Sequence, residues 1–182
     1  MSDGALAVAL RLAEPDDFGA IHEIYRHHVL NGLGSFEVEP PDRAELVRRH
    51  ADVRARELPY LVALSGGRLV GYAYAGPFRT RSAYRFTVED SIYIAPDAIG
   101  RGVGRVLLHA LIERCTALGL RQMIAVIGDS GNAGSIALHR ALGFGHPFVL
   151  EGAGFKFDRW VDIVLMQRPL GPGAGAPPPP GR

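Results

Sequence analysis

Glu89 is an ionisable residue in a setting where a proton could be transferred. It follows Val88 in an alternating run and is soon followed by Ser91-Ile92, just before a glycine-rich turn. In such surroundings burial disfavours the charged form and raises the pKa of a carboxyl group, which can then accept a proton directly or through a water. The spacing fits equally well a charge on the solvent face of a strand, or a structural salt bridge.

His139 is a second candidate for proton transfer. It lies in a segment where Ile136, Leu138 and Leu142 recur as the packing residues of a predicted helix. Histidine titrates near neutral pH, so it can give or take a proton. A partly exposed histidine on the helix surface is the alternative. The residues alone do not decide which of Glu89 and His139 would be the base and which the acid.

A glycine-rich turn, Gly100-Arg101-Gly102-Val103-Gly104, joins a predicted strand to a predicted helix. Glycine lets a ligand approach the backbone closely, and the first turn of a helix offers unpaired N–H groups that bind phosphate. Arg101 and Arg105 could add charge-assisted contacts. The turn is neither a P-loop nor a complete dinucleotide fingerprint, because the residues after Gly104 do not fit. It predicts a site for a phosphate-bearing ligand, with a purely structural turn as the alternative.

The hydrophobic pattern places these candidates in an α/β domain with the element order β-α-α-β-β-β-α-β-α-β-β. Asp42 and Glu45 form a capping-box pattern at the start of the second helix. The strand–helix–strand unit from Thr87 to Ile127 should be a parallel crossover, which brings Glu89 and the glycine turn into one unit. The predicted helices span about 15–31, 42–58, 103–118 and 133–142, and the predicted strands 8–12, 60–65, 69–75, 87–94, 122–127, 148–152 and 160–166.

Length, composition and charge narrow the class of protein. The chain has 182 residues, which fits one domain, and we assign residues 1–170 to it. Residues 171–182 contain only Gly, Ala, Pro and a final Arg, so we expect a disordered tail. With 20 basic and 19 acidic residues, the chain lacks the basic excess of a nucleic-acid binder.

The sequence gives no sign of a membrane, an export signal or a metal. No apolar run reaches the roughly 18 residues of a membrane span. The N-terminus lacks the basic region of a secretory signal, so we expect a cytoplasmic protein. His22, His27 and His28 lack the companion ligands that a metal site needs, and we expect no metal.

Several further segments occur in the same order in a known family. They are Ser35–Glu37, Ala73–Pro77, Ala83–Glu89, Asn132–Phe144 and Gly154–Lys156, with Trp160 and Asp162. With the glycine turn and the order of elements, they make the chain similar to the GNAT superfamily of N-acetyltransferases, and more closely to its phosphinothricin N-acetyltransferase branch. The similarity runs from about Leu10 to Leu170. The chain departs from the family at Ile99, where Gln or Arg is usual.

This resemblance implies a GNAT-type fold, with a mixed, mostly antiparallel central sheet flanked by helices. It implies an enzyme that transfers acetyl from acetyl-CoA to the α-amine of a small anionic amino-acid-like substrate, of the phosphinothricin, methionine sulfoximine or methionine sulfone type. The amine would attack the thioester directly, with general base and acid help. A homodimer is also implied, and no metal, nucleic acid or membrane partner is expected.

The resemblance also implies roles for particular residues. Glu89 and His139 would be the catalytic pair. Main-chain amides of the glycine turn would bind the pyrophosphate of acetyl-CoA, and a main-chain N–H near Tyr93-Ile94 would meet the thioester oxygen. The expected acetyl-CoA contacts are Tyr93, Ile94, Gly100, Arg101, Gly102, Val103, Gly104, Arg105, Asn132 and Ser135. Asn132 could equally serve as a helix cap.

The acceptor site is predicted from anion-binding and aromatic side chains. The planar guanidinium of arginine suits carboxylates and phosphinates, although at least one of these arginines could be only a solvated loop charge. Aromatic side chains could wall the pocket. The expected acceptor residues are Phe36, Glu37, Arg79, Arg81, Tyr84, Arg85, Phe86 and Lys156, and Trp160 could help to close the pocket from the same or the partner subunit.

Three alternatives stay open at this point. The same fold could acetylate a polyamine, an aminoglycoside or a protein N-terminus, although the arginines after Gly76 disfavour the cationic acceptors. A non-catalytic acyl-CoA-binding module is a second class, which the presence of both Glu89 and His139 disfavours. A nucleotide-binding domain is the third, and it lacks an acidic residue at the ribose position.

Overall fold

The computed structural model describes residues 4–178. Over that range the chain forms one mixed sheet with helices packed on both faces. The strands are β1 (Ala9–Leu12), β2 (Tyr60–Ser65), β3 (Arg68–Pro77), β4 (Thr87–Ile94), β5 (Gln122–Gly128), β6 (Phe148–Lys156) and β7 (Arg159–Pro169). The α-helices are α1 (Phe18–Asn31), α2 (Arg43–Ala55), α3 (Val103–Ala117) and α4 (Ala133–Ala141).

The strands follow the order β1-β2-β3-β4-β5-β7-β6 across the sheet. Among the described strands, β4 and β5 pair in parallel and every other neighbouring pair is antiparallel. A parallel pair needs a crossover connection, and α3 provides it. The predicted fold class, a mixed and mostly antiparallel sheet flanked by helices, is confirmed.

The core lies on both faces of the central strands. On one face α1 buries Phe18, Ile21 and Val29 completely, at the helical spacing that the sequence predicts. On the other face α3 buries Leu107 and its neighbours. Gly71 on β3 allows this close packing, since a Cβ there would lie 2.9 Å from the side chain of Ile94 and 3.3 Å from that of Leu107.

Helix α2 differs from its prediction at both ends. Asp42 caps it, and the Asp42 carboxylate accepts from the Glu45 N–H at 2.7 Å. The other half of the predicted capping box is absent, because the Glu45 carboxylate binds Arg48 and Arg49 instead. The helix also ends at Ala55, three residues before the predicted end.

The last two strands are longer than predicted and form one hairpin. Its turn is Phe157-Asp158, with φ of 51° and 57°. Two-residue hairpin turns favour positive φ at both positions, normally supplied by Asn or Gly, so the sequence carried no turn signal there. β6 also has a register irregularity between Leu150 and Gly154, which interrupts the alternation.

The C-terminal tail lies only partly within the described residues. Gly173–Gly175 form a 3₁₀ turn, and the Pro177 carbonyl accepts from Arg121 at 2.9 Å. Residues 179–182 lie outside the described range, so the domain boundary at 170 and the disordered tail stay predictions. Between residues 4 and 178, none of the helices has the length and apolar character to cross a membrane.

Candidate active site

A cavity of about 860 Å³ opens between β4, β5 and the N-termini of α3 and α4. Its volume is in the range of small-molecule and cofactor sites. The cavity brings together most of the residues that the sequence predicts for the site. The predicted residues in its wall are Phe36, Glu37, Glu89, Tyr93, Ile94, Gly100, Gly102, Val103, Gly104, Arg105, Asn132, Ser135 and His139.

The cavity exists because β4 separates from β5 halfway along its length. Parallel pairing runs from Thr87 opposite Gln122 to Asp90 opposite Ala125, and stops there. Beyond this point β5 continues to pair with β7 as far as Gly128, while the second half of β4 stays paired only with β3. The main-chain groups on the open side of β4 therefore face the cavity.

The register shows which N–H groups of β4 face this gap. The Ala95 N–H donates to the Val70 carbonyl at 2.9 Å, so odd-numbered residues of β4 direct their main chain toward β3. In an antiparallel ladder this direction alternates, and Ile92 and Ile94 point the other way. Of the predicted pair, the N–H of Ile94 is placed to meet a ligand, whereas that of Tyr93 faces β3. Ile92 was not predicted.

His28 on α1 completes the open end of β4. Its Nε2 donates to the Ile94 carbonyl at 2.8 Å, in the place of a strand partner. Burial lowers the pKa of His28, and the hydrogen bond to Ile94 only partly opposes this, so the ring is neutral at pH 7. His28 was not predicted as a site residue. Tyr25, three residues earlier and on the same face of α1, also lines the cavity.

The glycine turn forms the opposite end of the cavity. Gly100 and Gly102 have φ of 79° and 83°, the left-handed region that only glycine adopts freely. The helix begins directly after Gly102, so the N–H groups of Val103 and Gly104 have no partner within it. A Cβ at Gly100 would meet nothing within 4 Å, which leaves the backbone open to a ligand. These features fit a pyrophosphate group.

The two predicted arginines of the turn are placed differently. Arg105 lines the cavity, whereas Arg101 does not. The Arg101 carbonyl instead accepts from Leu6 at 3.0 Å, which ties the N-terminal segment to the turn. A pyrophosphate contact by Arg101 therefore stays a prediction. Ile99 is exposed in the cavity wall, so an apolar side chain stands where the family usually has a polar one.

Asn132 and Ser135 lie together at the start of α4. The Asn132 side chain accepts from the Ser135 N–H at 3.2 Å, so Asn132 is the helix cap. Both residues also line the cavity. The cap is therefore established, and the predicted contact of both residues with acetyl-CoA stays a prediction.

Glu89 has the electrostatic setting of a general base. It lines the cavity, and burial raises its pKa above the ordinary value, assisted by the negative charge of Asp90. The positive charge of Arg79 partly opposes the shift. A carboxylate with a raised pKa binds a proton more strongly, which makes it a better base once it is ionised.

His139 is buried and both of its ring nitrogens are engaged. Nδ1 lies 2.7 Å from the Ser135 carbonyl, and Nε2 lies 3.0 Å from Oδ2 of Asp90. Burial by itself would lower the pKa of His139, but the hydrogen bond and the charge of Asp90 outweigh it and raise the pKa. The alternative of a partly exposed helix histidine is therefore excluded, because α4 packs this side chain against β4.

Glu37, one of the residues predicted for the acceptor site, is held by groups from two helices. The Tyr25 hydroxyl donates to its Oε1 at 3.0 Å, and Arg49 donates to the same oxygen at 2.5 Å. Burial raises the pKa of Tyr25 to about 12, so this hydroxyl stays protonated. Within residues 4–178, no hydrogen bond reaches Oε2 of Glu37, and this oxygen can accept one from a ligand.

Lys156 stabilises the loop that contains Phe36 and Glu37. Its buried ammonium donates to the carbonyls of Gly32 and Ser35 at 2.9 and 2.7 Å. Gly154 makes room for the Phe36 ring, which a Cβ at that position would overlap. Lys156 itself is absent from the cavity wall. Lys156 therefore supports the loop, and its predicted contact with the acceptor stays a prediction.

The other predicted acceptor residues are absent from the cavity wall. The guanidinium of Arg79 lies over the ring of Phe78 at 4.8 Å, and that of Arg85 over the ring of Phe86 at 4.6 Å. They belong to the loop between β3 and β4, and their contact with an acceptor stays a prediction. The residues in this group are Arg79, Arg81, Tyr84, Arg85 and Phe86, with Trp160 exposed on β7.

The fold and the site together define an acetyltransferase, and comparison with known proteins agrees. The profile of the Acetyltransferase (GNAT) family matches residues 18–144. The chain belongs to the GNAT family of acetyltransferases. The predicted class of enzyme, an N-acetyltransferase with acetyl-CoA as co-substrate, is confirmed at the level of the family.

Individual relatives place the chain within one part of this family. It is 58% identical over 167 residues to a phosphinothricin N-acetyltransferase from Alcaligenes faecalis, a match that covers 92% of this chain and 85% of that protein. It is 42% identical over 176 residues to an L-methionine sulfoximine/L-methionine sulfone acetyltransferase from Pseudomonas paraeruginosa, covering 94% and 100%. The resemblance noted in the sequence is thereby confirmed.

A solved structure extends the match to three dimensions. The crystal structure of a phosphinothricin acetyltransferase from Sinorhizobium meliloti, in complex with acetyl-CoA, has a TM-score of 0.93 to this chain. The two sequences are 51% identical, and the match covers 96% of this chain and 94% of that one. The whole domain therefore shares its fold with an acetyl-CoA-binding relative.

Proposed function

We propose that the protein transfers acetyl from acetyl-CoA to the α-amine of small amino-acid-like acceptors of the phosphinothricin and methionine sulfoximine type. The observation that carries this proposal is the splayed gap of β4, which joins the glycine turn to Glu89 in one cavity. The names of the relatives from Alcaligenes and Pseudomonas support the class of acceptor.

Glu89 is the base in this proposal. The acceptor arrives as an ammonium and loses one proton to Glu89, and the free amine then attacks the thioester carbon. As the C–N bond forms, the carbonyl oxygen becomes negative. Glu89 passes the first proton to solvent and then takes the second amine proton, and the sulfur takes a proton from the enzyme as the C–S bond breaks. Positioned acid–base groups of this kind contribute about 10²–10⁴ in rate.

The N–H groups of Ile92 and Ile94 stabilise the negative oxygen. They point into the gap from a strand that β3 fixes on its other side, so they need no rearrangement during the reaction. Preorganised donors of this type are worth about 3–4 kcal/mol each. His28 holds the Ile94 carbonyl at 2.8 Å, and so fixes the strand edge next to the Ile94 N–H.

The acceptor binds between Glu37 and the loop that follows β3. The open oxygen of Glu37 receives the ammonium, and Glu89 lies in the same wall. The positive charge of Arg79 lowers the pKa of Glu89, so it acts at the part of the cavity where the acceptor binds. There it would attract an anionic group of the acceptor. A polyamine lacks that anionic group.

The test is thiol release from acetyl-CoA with a panel of acceptors. The panel contains L-phosphinothricin, L-methionine sulfoximine, L-methionine sulfone, common amino acids, spermidine and an aminoglycoside. We expect turnover with the first three. Turnover confined to spermidine or the aminoglycoside would overturn the acceptor class. An absence of turnover, with acetyl-CoA still bound, would instead favour the non-catalytic acyl-CoA-binding module.

A cytoplasmic homodimer belongs to the same proposal. The last hairpin, which is formed by β6 at one edge of the described sheet, by β7 and by the turn between them, exposes a set of large apolar side chains: Phe148, Val149, Leu150, Phe155, Phe157 and Trp160. Apolar patches of this kind mark protein–protein contacts. Light scattering should give the mass of a dimer, and Trp160→Glu should give a monomer while Val47→Glu on α2 does not. A monomeric wild-type chain would contradict the dimer.

A further inference from the structure

The buried pair of Asp90 and His139 has a geometry that the resemblance did not assign. Asp90 is 6% exposed and His139 is 4% exposed, and both line the cavity. Asp90 lies on β4 and His139 on α4. Their contact therefore connects β4, which separates from β5 at this point, to the helix whose N-terminus lies at the cavity. Two ionisable groups buried this deeply need each other, because either charge alone would be costly.

The hydrogen-bond partners fix where the ring protons lie. The Ser135 carbonyl at 2.7 Å can only accept, so Nδ1 of His139 carries a proton. The Asp90 carboxylate at 3.0 Å from Nε2 is also an acceptor when ionised. With the Asp90 carboxylate ionised both nitrogens donate, and the ring is then an imidazolium beside a carboxylate. A ring in this state has no lone pair with which to take a proton.

We propose that Asp90 is a positioning residue that holds His139 doubly protonated, so that His139 acts only as the acid of the reaction. This inference rests on the proposed function and completes it, because it leaves Glu89 as the only base of the pair. The proton between Nε2 and Oδ2 passes to the sulfur as the C–S bond breaks. The ring becomes neutral, and it regains a proton from solvent before the next turnover.

The surroundings of the ring support this assignment. The Phe144 ring covers it at 4.9 Å, edge to face. Among the described residues, β5 packs against α4 and has no ionisable side chain. The other charged groups nearby are Glu89, next to Asp90 on β4, Arg140 on the exposed side of α4, and Arg105 at the cavity wall. Asp90 is therefore the anion in contact with the ring.

The first test is the protonation state of the His139 ring, read from heteronuclear NMR spectra of labelled protein without substrate. The signal is assigned by its loss in His139→Gln. We expect both ring nitrogens to be protonated at pH 7, with titration above the ordinary range of histidine. A neutral ring with a bare Nε2 would overturn the proposal. The NMR measurement needs no turnover, so its result does not depend on whether any acceptor of the panel is acetylated.

The second test uses Asp90→Asn, which keeps the shape of the side chain and removes its charge. We expect the ring to titrate about 1–3 pH units lower, and the alkaline limb of the kcat profile to move down with it. At pH 8 kcat should fall roughly tenfold, with KM for acetyl-CoA little changed. Asp52→Asn on α2, an exposed carboxylate paired with Arg48, is the matched control and should change neither property.

Two outcomes of the second test would overturn the proposal. One is a ring that stays doubly protonated in Asp90→Asn, since another group would then hold the proton. The other is an alkaline limb that stays in place while the ring titration moves, since His139 would then not be the acid. If Asp90→Asn does not fold, the ring spectrum of the wild-type protein decides alone.

Discussion

The two ends of the cavity are built from different parts of the chain. The end proposed for acetyl-CoA is main chain, from Gly100 to Gly104 and along the open edge of β4. The end proposed for the acceptor is side chain, with Glu37 held by Tyr25 and Arg49. A main-chain site depends on backbone shape and is insensitive to most substitutions, whereas a side-chain site depends on each partner. Because of this difference, substitutions can alter the acceptor that the fold binds while its binding of acetyl-CoA is retained.

The largest expected effect is at Glu89, where the two ends meet. Glu89→Gln should lower kcat by roughly 10²–10⁴, because the ammonium would lose its proton acceptor. Both KM values should change little, since the amide keeps the shape of the site. Steady-state kinetics check this, with Glu23→Gln on the exposed side of α1 as the control. Unchanged turnover at saturating substrate would remove Glu89 from the mechanism.

Gly102→Ala tests the main-chain end. The positive φ of Gly102 strains any other residue, and a shift of the turn would move the N–H groups that face the pyrophosphate. We expect KM for acetyl-CoA to rise about tenfold, equivalent to about 1.4 kcal/mol, with KM for the acceptor unchanged. Gly66→Ala in the β2–β3 turn has the same type of strain, and it should cost stability without a change in KM. Equal effects of both variants would mean that the turn is only structural.

Arg49→Gln tests the side-chain end. Losing one of the two donors to Glu37 should raise KM for the acceptor about fivefold to tenfold, since hydrogen bonds to charged groups are worth about 1.5–3 kcal/mol and one donor remains. KM for acetyl-CoA should stay the same. Arg48→Gln removes an exposed neighbour that, within the described part of the chain, pairs with Glu45 and Asp52, and it should change neither KM. If Arg49→Gln raised KM for acetyl-CoA as much as KM for the acceptor, the two ends of the cavity would not act separately.

The smallest effect is a shift in pH dependence. Glu89 works as a base only when ionised, and its pKa is raised, so activity should fall on the acid side at a pH above the ordinary range of a glutamate. Arg79→Gln removes a charge that lowers this pKa, and it should move the acid limb of kcat/KM further upward. Arg56→Gln serves as the control. A shift in the opposite direction would show that Arg79 does not act on Glu89.

The glycine turn could be located from the sequence, because its signals are local. Gly102 and Gly104 stand two residues apart at a strand–helix boundary, and that spacing predicts a phosphate-binding turn, with a purely structural turn as the alternative. The acceptor end could not be predicted in the same way. Arg49, Tyr25 and Glu37 are brought together only by the packing of α1 and α2, and no spacing in the sequence records that contact.

The same reasoning applies to Lys156 and Asp90. Lys156 donates to the Gly32 and Ser35 carbonyls, a contact that the sequence did not predict, and its contact with the acceptor stays a prediction. Asp90 was passed over because it follows Glu89 and points to the opposite face of β4, where α4 brings His139 to it. Which face of a strand meets which helix is a property of the fold, and the strand pattern alone did not provide it.

The most direct test of the two-ended cavity is a backbone amide titration of labelled protein by NMR. Acetyl-CoA is added first, and L-phosphinothricin second. The account predicts that acetyl-CoA shifts the amides of Gly102, Gly104 and Ile94, and that the acceptor then shifts those of Phe36 and Glu37. Acetyl-CoA binding that leaves Gly102 and Ile94 unmoved would contradict it, because the co-substrate would then lie elsewhere.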